Sequence, residues 1–228
     1  MKVSDSTYDT LKRLHSLSGV VPVGAFLLEH FYTNSFAVQG ASQFNRAAAD
    51  LARLPYVQLI ELFGIGVPIL FHMVLGLLIA TTLQANTGRH GYPRNWGYLL
   101  QRVSGIVLAF YIVYHVWATR FSPEVLGGDT DLFRLMQNQL RNPGVFAFYV
   151  LGIVSACYHF GNGLFGFSIH WGLATSRAAQ RRAARLGTAV FLVLTLIGLN
   201  ALLAFSGHAV RLFDRAEQPA IVLDPGTR

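Results

Sequence analysis

An all-α integral membrane protein with five transmembrane helices is the fold this sequence predicts, and three observations predict it. Of 228 residues, 53% are hydrophobic and only 13% charged, with a mean hydropathy of +0.42. Apolar runs of about 20 residues recur, each long enough to cross a hydrocarbon core of roughly 30 Å as helix. No run alternates strictly between apolar and polar residues, and lipid admits only helices or closed barrels as spanning structures. The predicted spans are about 15–38, 57–84, 98–121, 144–172 and 184–206, between a polar segment 1–14 and a polar tail 207–228. The single cysteine, Cys157, excludes an intrachain disulfide and a cysteine-ligated metal cluster. In so apolar a chain, the net charge of +7 reads as arginines at membrane surfaces rather than as a nucleic-acid footprint.

Taken in order, Lys2, Lys12 and Arg13 precede the first span and favour a cytoplasmic N-terminus. Five spans then put the C-terminus outside, and the loop 173–185 falls inside with Arg177, Arg181, Arg182 and Arg185. In the first span Ser16, Gly19 and Val23 line up with His30. The segment QGASQFNRAAADLARLPY predicts a short surface helix, with Pro55 at the entry to the second span. That span carries Glu61, Pro68, His72 and Gly76, and at about 100° per residue Glu61 and His72 share a face. A carboxylate in a membrane helix is costly, which makes Glu61 a functional candidate; near a helix start it can equally reach water or cap a neighbour. The connector ANTGRHGYPRNWG is rich in turn residues. In the third span Gln101, Ser104, Leu108 and Tyr111 lie near His115 on the helical wheel. In the fourth, Gly152, Ser155, Gly163, Gly166 and His170 lie within roughly 40° of His159. This nearly side-chain-free stripe beside an imidazole suits a flat, bulky group. The segment 122–143 is polar, and the fifth span, with no histidine, reads as a peripheral helix giving packing support. Trp96, Trp117 and Trp171 fall at span ends, where an interfacial aromatic belt belongs.

One deep histidine on each of four successive spans, His30, His72, His115 and His159, is the pattern that carries chemistry. A lone buried histidine is more often a packing residue; four shift the balance to cofactor ligation, because neutral imidazole is a good axial ligand for haem iron and a helical bundle is a usual place for a cofactor. Depth pairs them. His30 and His115 stand about 16 to 17 residues above the inner ends of their helices, and His72 and His159 about 12 to 13, which separates the pairs by roughly 6 Å. The expectation is a four-helix haem-binding bundle with two bis-histidine haems, an outer one on His30 and His115 and an inner one on His72 and His159. Arg13, His15, Ser16, Gln101, Arg102 and His170 gather near the inner ends and are candidates for the propionates of the inner haem. His90 and His208 lie in connecting or terminal segments and receive no role.

The segments RLHSLSGVVPVGAFLLEH, LPYVQLIELFGIGVPILFH, RNWGYLLQRVSGIVLAFYIVYHVWATR and FYVLGIVSACYHFGNGLFGFSIHWG together resemble the single-chain, five-helix, dihaem cytochrome b-558 membrane subunits of the succinate:quinone oxidoreductases. The likeness runs from about residue 12 to 206, with the fifth span least distinctive. The resemblance puts the four axial ligands on the same four histidines, with the same pairing. It implies an anchor in the bacterial cytoplasmic membrane that passes electrons through two b haems to or from quinone, typically menaquinone. It also implies partners on the cytoplasmic face: a flavoprotein subunit with covalent FAD that interconverts succinate and fumarate, and an iron–sulfur subunit docking near the basic inner loop and the Arg94–Arg102 region. On that reading this subunit does not itself act on succinate, and Glu61 is a proton relay for quinone on the outer side. Some fumarate-reducing relatives carry a glutamate two residues before the fourth ligand; here that position is Cys157, which leans toward electron transfer uncompensated by protons.

Two other readings accommodate parts of the pattern. One is the cytochrome b anchor of another quinone-linked complex, such as a hydrogenase or formate dehydrogenase, or a stand-alone reductase. The other is a transporter or proton channel with histidine relays, which leaves the small-residue stripes beside the histidines unexplained.

Overall fold

The computed structural model of the protein describes residues 5–81 and 91–211, and every element among them is helical. Lys2, the expected end of the second span (82–84), His90 and most of the tail (212–228) lie outside the described residues.

The first apolar segment is divided. Helix α1 runs Asp5–Val20 and α2 runs Pro22–Ser35. Backbone bonds continue across the joint, from Val21 N–H to Leu17 O (2.9 Å) and from Ala25 N–H to Val21 O (3.0 Å). Pro22 has no N–H to give the carbonyl of Ser18, so the ladder lacks that one bond there. The helix also starts earlier than the apolar run does, since Asp5 to Leu14 are helical although polar. A 3₁₀ turn, Phe36–Gln39, leads to Gly40 at φ +101°, a conformation glycine adopts freely, and the chain turns into α3, Ala41–Ala52.

Helix α4 spans Val57–Ala80 and is π-helical from Ile60 to Gly66. Pro68 lies just beyond, and its ring and missing N–H disfavour the ordinary bond to Gly64, which a wider turn relieves. Helix α5, Pro93–Thr119, opens with proline after an extended Tyr92. Two short helices follow, α6 (Pro123–Leu126) and α7 (Leu132–Leu140). Helix α8, Pro143–His170, is capped by Asn142, whose side chain accepts from the N–H groups of Gly144 and Val145. Helix α9, Arg177–Phe205, is capped by Ser176 and takes Arg177 to Arg185, expected in a loop, into its first turns. Helices α4, α5, α8 and α9 are each long and apolar enough to cross a membrane.

The two ends of the bundle differ. One end is capped by α3 and α7, which are tied by both faces of one amide. Asn45 Nδ2 donates to Asp131 Oδ1 (2.8 Å), and Asn45 Oδ1 accepts from Phe133 N–H (3.0 Å). Asp131 also caps α7 through Arg134 N–H (3.1 Å). The Asn45 amide first, and then Arg134 N–H, hold its carboxyl below the usual range. Beneath this cap Phe44, Tyr111, Met136, Leu140, Tyr149 and Phe205 form the main core. At the opposite, basic end lie Lys12, Arg94, Arg177 and Arg181.

Helix α9 is not peripheral in its packing. Leu194, Gly198, Ala201, Leu202 and Phe205 are buried, whereas no residue of α4 is. The reason is a close crossing of small residues: a Cβ on Gly161 of α8 would strike the carbonyl oxygen of Gly187 on α9, and the reverse. Gly198 likewise admits the ring of Phe31 from α2.

Candidate functional site

The four deep histidines project from α2, α4, α5 and α8 into one laterally open cavity of about 3160 Å³. They meet in two pairs. The rings of His30 and His115 have centres 5.7 Å apart at 80°, and those of His72 and His159 have centres 6.0 Å apart at 88°. An imidazole nitrogen sits about 2 Å from a metal it binds, so two imidazoles on opposite sides of one iron have ring centres roughly 6 Å apart. Both pairs have that spacing. Among the described residues no three His, Cys, Asp or Glu side chains converge. The histidines come in twos, so iron held between them would draw its other ligands from a macrocycle.

Behind the basic-end pair lies one device built twice. His72 Nδ1 is 2.9 Å from the carbonyl of His15 and 3.3 Å from Ser18 Oγ, and that hydroxyl donates to the same carbonyl. His159 Nδ1 is 3.0 Å from the carbonyl of Gln101 and 3.2 Å from Ser104 Oγ, which again donates to that carbonyl. A carbonyl only accepts, so Nδ1 carries the proton in both rings and Nε2 keeps its lone pair for a ligand. The residue after each serine is glycine. A Cβ on Gly19 would run into the His72 ring, and one on Gly105 would stand 3.0 Å from His159 Cε1. HSLSG in α1 and QRVSG in α5 are therefore matching receptacles for an imidazole from a neighbouring helix, and that serine–glycine spacing is legible in the sequence although not singled out there.

At the capped end His115 Nδ1 lies 3.2 Å from the hydroxyl of Tyr149, a residue that sequence reasoning missed because, ten positions before His159, it falls roughly 80° off the stripe read on that helix. Of the proposed stripe on α8, Gly152 packs under the ring of Tyr111, whereas Gly166 faces open space and Gly163 meets only Gln101 at 3.7 Å.

The residues expected near the basic end are placed unevenly. His15 stacks on His72, with centres 3.9 Å apart at 12°, and is seated against Gly76; its Nδ1 is buried without a hydrogen-bond partner. Ser16 Oγ accepts from Trp171 Nε1 (3.2 Å) and donates to Arg13 O (2.9 Å). The amide of Gln101 clamps α8, donating to His159 O (3.1 Å) and accepting from Asn162 Nδ2 (2.7 Å). The Arg102 guanidinium lies 3.6 Å over the Tyr98 ring, with Nε buried and unpaired. Both Arg102 and the exposed His170 line the cavity; Arg13 does not, and its neighbour Lys12 does. Glu61 also lines it, on the π-helical turn, and accepts from Arg120 Nη2 (3.1 Å). That half-exposed ion pair ties the first turns of α4 to the last turn of α5 and is worth at most about 1 kcal/mol.

A family model described as succinate dehydrogenase/fumarate reductase transmembrane subunit matches residues 84–205. The succinate dehydrogenase cytochrome b558 subunit of Bacillus subtilis (strain 168) is 40% identical to this chain over 194 residues, covering 85% of this chain and 95% of that protein.

Proposed function

Because the chain belongs to the succinate dehydrogenase/fumarate reductase transmembrane subunit family, we propose that it is the membrane anchor of a succinate:quinone oxidoreductase, carrying electrons between an iron–sulfur subunit and (mena)quinone. In this reading five spans cross the membrane, α1 and α2 together making the first. His30 with His115 and His72 with His159 hold two b haems, one above the other. The observation that carries it is the two opposed pairs at ligation spacing, three of their four rings backed at Nδ1. When bound, bis-histidine haem supplies a one-electron couple with no open coordination position. The protein's part would be to hold imidazole lone pairs at fixed depth and to meet propionates with Lys12, Arg102, His170 and the first turn of α9.

The basic end faces the cytoplasm, where the iron–sulfur subunit docks beside Arg94, Arg102 and Arg177 to Arg185, with the FAD-bearing subunit behind it. The capped end faces outward. Electrons passing between the ends cross most of the membrane, and each charge moved through 100 mV is worth about 2.3 kcal/mol, so the membrane potential can drive menaquinone reduction by succinate. Cys157, fully buried two residues before His159, offers no carboxylate to move a proton in step with the electron.

The test is a reduced-minus-oxidised spectrum of the purified chain with haem quantified. Two haems b per chain are expected; none in folded protein would overturn the reading and favour a histidine proton channel. Glu61 is the proton relay for quinone in this scheme. In the assembled complex, Glu61→Gln is expected to keep both haems and lower quinone turnover roughly 100-fold, the low end of what an acid–base group contributes. Unchanged turnover would remove Glu61 from the mechanism.

A further inference from the structure

The two histidine pairs are backed by different chemistry. At the basic end the acceptors are main-chain carbonyls, of His15 and Gln101. At the capped end the backing is made of side chains. The Tyr149 hydroxyl, 3.2 Å from His115 Nδ1, is also 3.4 Å from Gln139 Oε1 and 3.9 Å from Met136 Sδ. Gln139 Nε2 donates to the carbonyl of Ala118, which turns Oε1 toward the tyrosine. The amide oxygen and the thioether only accept, so the single Tyr149 proton goes to that side; with Nε2 given to iron, His115 Nδ1 carries its own proton and donates to the tyrosine oxygen. The ring of Tyr149 is 3% exposed, fixed against Tyr111, His115 and Tyr114 at 5.5, 5.6 and 6.3 Å. Gln139 belongs to α7, in the cap rather than in a span, and lines a polar cavity there with Asn138, Arg134 and Asp129. A hydrogen-bonded path thus runs from the cap to the back of one histidine of one pair.

We propose that Tyr149 and Gln139 are positioning residues for the capped-end pair, fixing the tautomer and basicity of His115 and so setting the reduction potential of the haem held there, separately from the other. The proposal rests on the haem reading above. A hydrogen bond accepted from Nδ1–H raises the electron density at Nε2, which favours ferric iron and lowers the potential. Removing the acceptor acts the other way. The basic-end pair, backed by carbonyls, is out of reach of either substitution.

The experiment is an optical redox titration of the full chain, comparing wild type with Tyr149→Phe, Gln139→Leu and the double variant. Tyr149→Phe keeps the ring and deletes only the hydroxyl. It is expected to retain both haems, raise the midpoint of the one that the His30 and His115 variants lose, and leave the other unmoved. Gln139→Leu should raise the same midpoint by less, and should add nothing in the Tyr149→Phe background, because the path is already cut. If Tyr149→Phe sheds a haem, Gln139→Leu, in which the tyrosine stays whole, decides alone: a rise at one haem supports the relay and no shift overturns it. Unchanged potentials, equal shifts at both haems, or additive shifts in the double variant overturn the relay alone. A wild-type chain without haem overturns the haem reading and the relay with it.

Discussion

Alanine at His72 or His159 is expected to halve the haem content, from two per chain to one, and alanine at His30 or His115 to remove the other haem instead. Each iron would rest on two imidazoles, and with one gone the single remaining imidazole and the cavity's other contacts would hold the haem too weakly to survive purification. The pairs share no ligand, and their backing groups differ. His72 and His159 lean on α1 and α5 through the two serine–glycine receptacles, and His115 leans on Tyr149. The loss should therefore be selective. In redox titration each variant keeps one of the two wild-type midpoints, the same one for both members of a pair. Thermal stability should fall as well, since a group that binds only the folded chain stabilises it by mass action. Four variants that each lose both haems, or a His30 variant matching a His72 variant, would contradict the pairing.

Valine at Gly161 is expected to be the most damaging single change in the helix packing. The added Cβ meets the carbonyl oxygen of Gly187 and stands 3.0 Å from Phe191 Cβ. Neither obstacle is a flexible side-chain tip, so α8 and α9 must separate, which opens a seam along the helix that bears His159. Overpacking of this kind costs roughly 1–3 kcal/mol, and more where backbones touch. Gly166→Ala is the matched control, because a Cβ there has nothing within 4 Å. Thermal unfolding in detergent should show Gly161→Val far below wild type and Gly166→Ala close to it. Equal midpoints for the two would mean that the crossing tolerates a wider spacing.

How much of this was legible beforehand varies with the physics behind each feature. The histidine juxtapositions followed from depth, because rise per residue is nearly constant whatever surrounds a helix. The helix ends did not follow, because hydropathy marks where lipid begins and helices continue past it: α1 starts at polar Asp5, and α9 starts among its arginines. The π-helical turn around Glu61 escaped a wheel drawn at 100° per residue, although Pro68 was in plain view. Beyond Arg185, helix α9 is apolar on nearly every side, so periodicity carried no sign of which face would be buried, and the approach of Gly187 to Gly161 shows it. The second layer was half legible. The repeated serine–glycine spacing is a local pattern, while the meeting of Tyr149 with His115 and Gln139 joins α8, α5 and α7 and has no local signature.

The contrast between carbonyl and side-chain backing bears on how such a protein can change over generations. A main-chain carbonyl is not encoded, so drift in the gene cannot delete the acceptors behind His72 and His159 without moving a helix. The acceptor behind His115 is one codon, and the group behind that is another. Single-codon changes can therefore delete the acceptor behind His115, whereas behind His72 and His159 they reach the serine and the glycine of each receptacle but not the carbonyl itself. On the haem reading, positions 139 and 149 are where single substitutions would tune the capped-end pair without moving a helix.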